Sequence, residues 1–249
     1  MKKIFLIVGI LLATTSFAEE YQIQTIGVAG RYNDSIYKSD KEIIPMPLIN
    51  LNYNRFFIKG FKPGFVLYQE PSFKFSVIVD PLGGYFDGWA VDGKDMDKGY
   101  ENIEDRDGQF MYGLDIDFDF SENVLGNINY MFGEDGSRGE ISMTYIQYLT
   151  DRIVILPTLN ARYYSSDYVD YYVGVSEKEV ITNSKLDKEY EGKDSFSVGV
   201  SLTTEISLTE QFIMSFFAGY DYFDKEITDS PLVDKDGQIY YGTGFRFSF

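Results

Sequence analysis

The chain has 249 residues, a formal net charge of −17, and neither His nor Cys. Disulfides, thiolate nucleophiles, His-based triads and ordinary His or Cys zinc sites are therefore excluded, and the acidic balance argues against nucleic acid, whose phosphates need a basic patch. Tyr (21), Phe (21) and Gly (23) are abundant, a composition that suits strand faces and membrane interfaces.

Residues 1–18 open with Lys2 and Lys3, continue through an apolar stretch from Ile4 to Leu12, and end with Ser16 and Ala18 at the −3 and −1 positions of a cleavage site. This predicts a signal peptide, too short to span a bilayer as a helix, with the mature domain covering residues 19–249. Alternating runs follow. The segment Gln109 to Phe120 puts Phe110, Tyr112, Leu114, Ile116, Phe118 and Phe120 on one face and Met111, Gly113, Asp115, Asp117 and Asp119 on the other. Ser195 to Ile206, Gln211 to Tyr222 and Gln238 to Phe249 sort the same way. A period of two belongs to strands; helical periodicity would scatter these classes. Weaker runs cover Tyr21 to Tyr32, Ile43 to Tyr53, Arg55 to Gln69, Phe73 to Phe86, Asn123 to Phe132, Gly139 to Tyr148 and Arg152 to Tyr164.

The connections are of two kinds. Short ones fall at 52–55, 121–123, 150–152 and 208–210, and long or acidic ones at 33–41, 87–107, 167–194 and 224–236. Short turns at one end and long loops at the other predict an all-β fold, an antiparallel transmembrane β-barrel, with the short turns in the periplasm. Counting from the two termini disagrees by one strand at Arg55 to Gln69. Dividing that run at Lys59 to Gly64 gives twelve strands, and ten is the next choice. The last strand places Phe245, Phe247 and Phe249 on its apolar face. It resembles the closing strand of bacterial outer-membrane barrels, whose terminal Phe is read by the barrel-assembly machinery. Membrane lipid and that machinery are the first expected partners.

The second face would look into the lumen. There Asp80, Asp115, Asp117, Asp119, Glu140, Glu205 and Asp221 would meet Lys74, Arg162 and Arg246, either as a structural ion-pair network or as the lining of a narrow cation-favouring pore. Two acidic loop clusters offer hard oxygen ligands for Ca²⁺: Asp92, Asp95 and Asp97 with Glu101, Glu104, Asp105 and Asp107, and the weaker Asp234 and Asp236 before Gly237. Their spacing does not match the twelve-residue helix-loop-helix calcium pattern, and Glu104 with Asp107 on a loop lacks the fixed separation a glycosidase pair needs. No catalytic residue, metal or cofactor is expected, and the chain reads as a non-enzyme.

Three stretches, Ile43 to Gly60 (IIPMPLINLNYNRFFIKG), Tyr171 to Glu179 (YYVGVSEKE) and Ile227 to Phe249 (ITDSPLVDKDGQIYYGTGFRFSF), resemble the MipA/OmpV family of outer-membrane proteins, the MltA-interacting protein family. The resemblance implies an outer-membrane barrel without known catalysis. It also implies a scaffold role joining a murein lytic transglycosylase to a penicillin-binding protein. Tyr171, Gly174, Val175 and Ser176, with Asp229, Ser230 and Pro231, mark the family-like loop segments, either a shared functional feature or residues that shape loops at the rim. Pro45 and Pro47, two apart and so on one face of a strand, suit only an edge, a bulge or a rim. The short turns count against a large periplasmic interface, so a pore and a loop-borne adhesin remain as alternatives to the scaffold.

Overall fold

The computed structural model describes residues 24–39 and 42–249; the expected signal peptide lies outside them. The wall begins with β1 (Thr25–Asn33), β2 (Glu42–Pro47), β3 (Asn50–Tyr53), β4 (Phe56–Lys59), β5 (Lys62–Glu70) and β6 (Phe73–Gly83). It continues with β7 (Gln109–Ser121), β8 (Val124–Gly133), β9 (Gly136–Tyr145), β10 (Gln147–Thr150) and β11 (Ile153–Tyr164). It is completed by β12 (Ser195–Ser207), β13 (Phe212–Phe223) and β14 (Gly237–Ser248). Three helices sit in the long loops: α1 (Ser166–Val173), α2 (Glu177–Thr182) and α3 (Lys225–Thr228).

All named strand pairings are antiparallel, and the sheet closes where β1 meets β14, from Thr25 opposite Ser248 to Asn33 opposite Tyr240. β2 and β3 are successive parts of one wall strand beside β1, as β9 and β10 are of another beside β11. The result is a closed barrel of twelve wall strands. The expected division of the run Arg55 to Gln69 occurs where it was placed. Gly60, at φ +64°, turns the chain between β4 and β5, a backbone conformation that costs glycine little.

Alternation decides which side faces out. In β7 the exposed Phe110, Tyr112 and Leu114 interleave with the buried Met111, Gly113 and Asp115. The same two-sidedness repeats around the wall, leaving an outer belt that includes Val28, Ile141, Leu159, Val200, Phe216 and Ile239. Exposed apolar area of this extent is unstable in water and stable in lipid. The start of β1, the C-terminus and the short turns lie at one end, here called the terminal end, and the long loops at the other, the loop end. Next to the seam, Phe247 on β14 meets Phe212 on β13 edge to face, with centroids 5.2 Å apart, and across the seam the amide of Phe249 donates to the Gln24 carbonyl. Deleting Phe249 removes that bond and an exposed ring from the terminal-end rim. The expected result is a several-fold drop in folded, heat-modifiable protein in the outer membrane, measured by gel shift of isolated membranes; an unchanged yield would show that the last ring is dispensable.

Candidate functional site

The inward face of the wall carries charge, and most of the charges are paired. Asp117 on β7 accepts from Lys74 at 2.6 Å and Lys59 at 3.0 Å, and Asn127 Nδ2 bridges Asp115 and Asp117 at 2.9 and 2.7 Å. Arg162 on β11 lies between Glu140 (2.6 Å) and Asp221 (3.0 Å), and Arg246 on β14 binds Glu205. Arg138 on β9 donates to Asp80 at 3.0 Å and to Asp87, while Lys62 approaches Asp80 at 3.4 Å. A charge removed from bulk water persists only with such partners, because desolvation costs several kcal/mol per ion. Asp119 stands apart from this network, on the exposed terminal end of β7.

Four cations on the inner face, Arg31, Lys59, Lys62 and Arg138, were not assigned from the sequence. With them the lumen is close to balanced. Arg138 was missed because β9 starts at Gly136, three residues before the expected run; the Gly136 turn, at φ +99°, is the local signal that would have placed it. Lys59 and Lys62 flank the β4–β5 turn, where a tight reversal obscures the period of two.

At the loop end a packed cap closes the barrel. Trp89 is 2% exposed and is ringed by Tyr164, Tyr168, Tyr172 and Phe223 at centroid distances of 5.0, 5.8, 5.6 and 5.5 Å. Ile36, Tyr37, Ile227, Leu232 and Val233 extend the same buried cluster. Two of its hydroxyls find backbone partners: Tyr37 Oη donates to the Trp89 carbonyl at 2.8 Å, and Tyr172 Oη to the Gly83 carbonyl at 3.0 Å, while the Tyr168 hydroxyl has none among the described residues. The two family-like segments meet in this cap. Ser230 Oγ donates to the Val173 carbonyl at 2.5 Å, Lys38 Nζ to the Pro231 carbonyl at 2.6 Å, and Val233 bridges Tyr37. Asp229 follows α3 as its C-cap. Tyr171 Oη accepts from the Asp107 amide at 3.0 Å, the Gly174 amide closes α1 on the Asp170 carbonyl, and Val175 bridges Tyr190.

Ser176 caps α2, and Glu179 three residues on returns the bond to Ser176, a reciprocal capping box that the spacing Ser-x-x-Glu displays in the sequence. Glu179 also accepts from Arg106 at 2.8 Å and from the Glu104 amide at 2.9 Å. Burial alone would raise this carboxyl, but the Ser176 and Glu104 amides and the Arg106 guanidinium outweigh it and hold it below the usual glutamate range. A depressed folded pKa gives stability that is complete above the unfolded value and disappears as pH falls through the folded value. Emission from the buried Trp89 should therefore be constant from neutrality down to about pH 5 and shift to the red below about pH 4. The Glu179→Gln protein should lack that part of the transition.

The acidic loop residues are spent locally. Asp92 pairs with Lys94 at 2.5 Å, Asp105 accepts from the Gly93 amide at 2.8 Å, Glu101 from the Gly99 amide, and Glu104 from Lys178 at 2.9 Å. Among the described residues no three carboxylates converge as a metal ion would need.

An antiparallel wall of twelve strands, apolar outside and charged within, is the structure of an outer-membrane β-barrel protein. Residues 26–249 match the family model described as MltA-interacting protein MipA, and the chain belongs to that family. It is 29% identical over 235 residues to the 24 kDa outer membrane protein of Pasteurella multocida (strain Pm70), with 90% of each chain covered. It is 24% identical over 251 residues to the MltA-interacting protein of Escherichia coli (strain K12), with 98% of each covered. Among solved structures the NanC porin superposes with a TM-score of 0.49 at 7% identity, covering 90% of this chain and 100% of that one.

Proposed function

We propose that the protein is a non-catalytic interaction protein of the outer membrane, closed to diffusion along its axis, whose terminal end docks a murein lytic transglycosylase. The observation that carries the closed state is the cap: a buried aromatic cluster shared by the loops and the ends of β11 and β13, above a lumen most of whose carboxylates are held by cations. With those carboxylates committed, and with no His or Cys in the chain, the lumen supplies no general base poised near neutral pH. The partner follows from the Escherichia coli relative, which is named for interaction with MltA. In this architecture the end with the short turns faces the periplasm. It offers a shallow depression lined by Thr150, Asp151, Arg152, Ile153, Ile206, Ser207 and Leu208, beside the exposed Tyr148 and Leu149.

A photo-crosslinking residue at Arg152 provides the test in intact cells, with one at the loop-end residue Ile181 as the control position. The expected result is an adduct with a lytic transglycosylase from position 152 alone. Absence of that adduct, or equal capture from both positions, would overturn the docking. Planar-bilayer recording of the purified chain should show no conductance above background, and steady ohmic steps would overturn the closed state.

A further inference from the structure

The barrel wall is interrupted. β4 is four residues long, and the β4–β5 hairpin turns back at Gly60 and Phe61, far short of the height reached by β2 on one side and β6 on the other. The amide of Gly60 donates to the Ile49 carbonyl at 2.7 Å. Beyond that bond β2 pairs with β1 alone among the described residues. On the far side, the β5–β6 register stops at Gly64 opposite Ile78, while β6 continues to Gly83 paired only with β7.

The sequence is fitted to this gap. Leu48 donates to the Gly27 carbonyl, so in β2 the even-numbered residues direct their backbone groups at β1 and the odd-numbered ones at the gap. Two of those odd positions are Pro45 and Pro47, which have no N–H to leave unsatisfied in lipid and cannot template another strand. The outward side chains around the gap are apolar: Ile43 is 71% exposed, Phe61 43% and Tyr85 39%.

Behind the gap the chain does not continue the wall. Gly84 and Gly88, at φ +87° and +84°, turn the segment between them inward, and the Phe86 ring rests 5.9 Å from Phe61. The Phe86 carbonyl accepts from Arg31 Nη1 at 3.1 Å. Arg31 is 8% exposed, lies 4.0 Å over the Tyr240 ring and donates through Nε to Asn33 Oδ1 at 2.6 Å; among the described side chains no carboxylate forms an ion pair with it, and Asp87 and Asp221 act on it only from farther off. That bond fixes which way the Asn33 amide faces. Its Nδ2 is a buried donor without an acceptor, and so is Gln238 Nε2. A Cβ on Gly88 would lie 3.0 Å from the first and 2.7 Å from the second. A buried cation without a carboxylate in contact among the described side chains, and two orphaned donors, thus surround one small space, one aromatic ring away from the lipid face. A buried charge and buried donors left in this condition are costly unless an anion can enter.

We propose that the interruption between β2 and β6 is a lateral portal, gated by Phe86, for an anionic amphiphile: an alkyl chain bearing a carboxylate or phosphate head, which Arg31, Asn33 and Gln238 receive inside the barrel. The apolar rim accepts the chain and the donor cluster takes the head. The charge of Arg31 makes the head an anion, and the opening onto lipid makes the source the bilayer.

The chain carries a single tryptophan and no cysteine, and Trp89 follows Gly88 directly, so entry can be read optically. The full-length mature protein in phosphatidylcholine nanodiscs is titrated with dodecanoate brominated on its chain. The expected result is saturable quenching of Trp89, reversed by plain dodecanoate and by dodecyl phosphate but not by acetate, inorganic phosphate or dodecanol. Reversal by acetate or phosphate would reduce the site to one for free anions and overturn the portal, and reversal by dodecanol would overturn the role of the head. The Arg31→Gln protein should bind about tenfold more weakly or worse, and unchanged affinity would overturn the assignment. Because that variant can also misfold, a second one carries Phe61→Cys with Phe86→Cys. Bridging the two thiols with a short bifunctional reagent should slow quenching several-fold relative to the same protein before bridging; equal rates would place entry elsewhere.

Discussion

Arg138→Leu should lower the unfolding free energy by about 3–5 kcal/mol, the usual effect of breaking a buried ion pair from one side. Arg138 is 8% exposed and engages Asp80 and Asp87 together, with Asp80 itself 3% exposed. Its removal leaves two carboxylates facing each other, with Lys62, 3.4 Å from Asp80, as the remaining nearby partner. The urea midpoint of the chain in micelles, followed by Trp89 emission, checks the value. Replacing Asp80 by Asn in the same protein should restore part of the loss, because the cost comes from the stranded charge and not from the missing side chain alone. A loss below about 1 kcal/mol for the single variant would mean that lumen water solvates both acids well enough to dispense with the arginine.

Trp89→Ala should combine a large stability change with a change of state. Truncating a buried ring of this size costs about 3–5 kcal/mol, and here the cavity opens among Tyr164, Tyr168, Tyr172 and Phe223, the rings that join the loops to the wall. The expected outcome is a cap that detaches before the wall unfolds. Proteolysis should cut the loop-end segments while the wall resists, and single-channel recordings should show current above that of the parent protein. A conductance equal to that of the parent would mean that the lumen ion pairs, and not the cap, block the axis.

Much of the wall was legible because strand alternation is a local signal. Gln109 to Phe120 declares its two faces within its own length, and Phe245, Phe247 and Phe249 declare the closing strand within five residues. The division at Lys59 to Gly64 was found by a different route: two counts of strands that had to agree. The cap was not legible, since Trp89 acquires its surroundings from residues 164 to 223, and no period in the sequence joins them. None of the cap helices was read from the sequence, where 167–194 counts as a long loop, although the Ser176 and Glu179 spacing carries a local signal for α2. The run from Phe73 to Phe86 was read as one strand; the chain leaves the wall at Gly84, and the alternation of Tyr85 and Phe86 continues past the point where the backbone has turned. Arg138 lies outside the run read from the sequence, which began at Gly139, and so had no face assigned to it, whereas Arg31 lies inside Tyr21 to Tyr32 and was passed over.

The seam has a kinetic consequence. Each wall strand pairs with the one next to it in the chain, except at β1 and β14, so hairpins can form early and cheaply while the long-range part of the topology is concentrated in a single ring closure. The entropy of that closure grows only slowly with the length enclosed, yet it is repaid only when both partners already have their register, which marks it as the slow step. Until then the nascent sheet carries two free edges and can associate with other unfinished chains. Afterwards the edges left open among the described residues are the upper parts of β2 and β6, and on β2 two prolines have already removed donors that a stray strand would need.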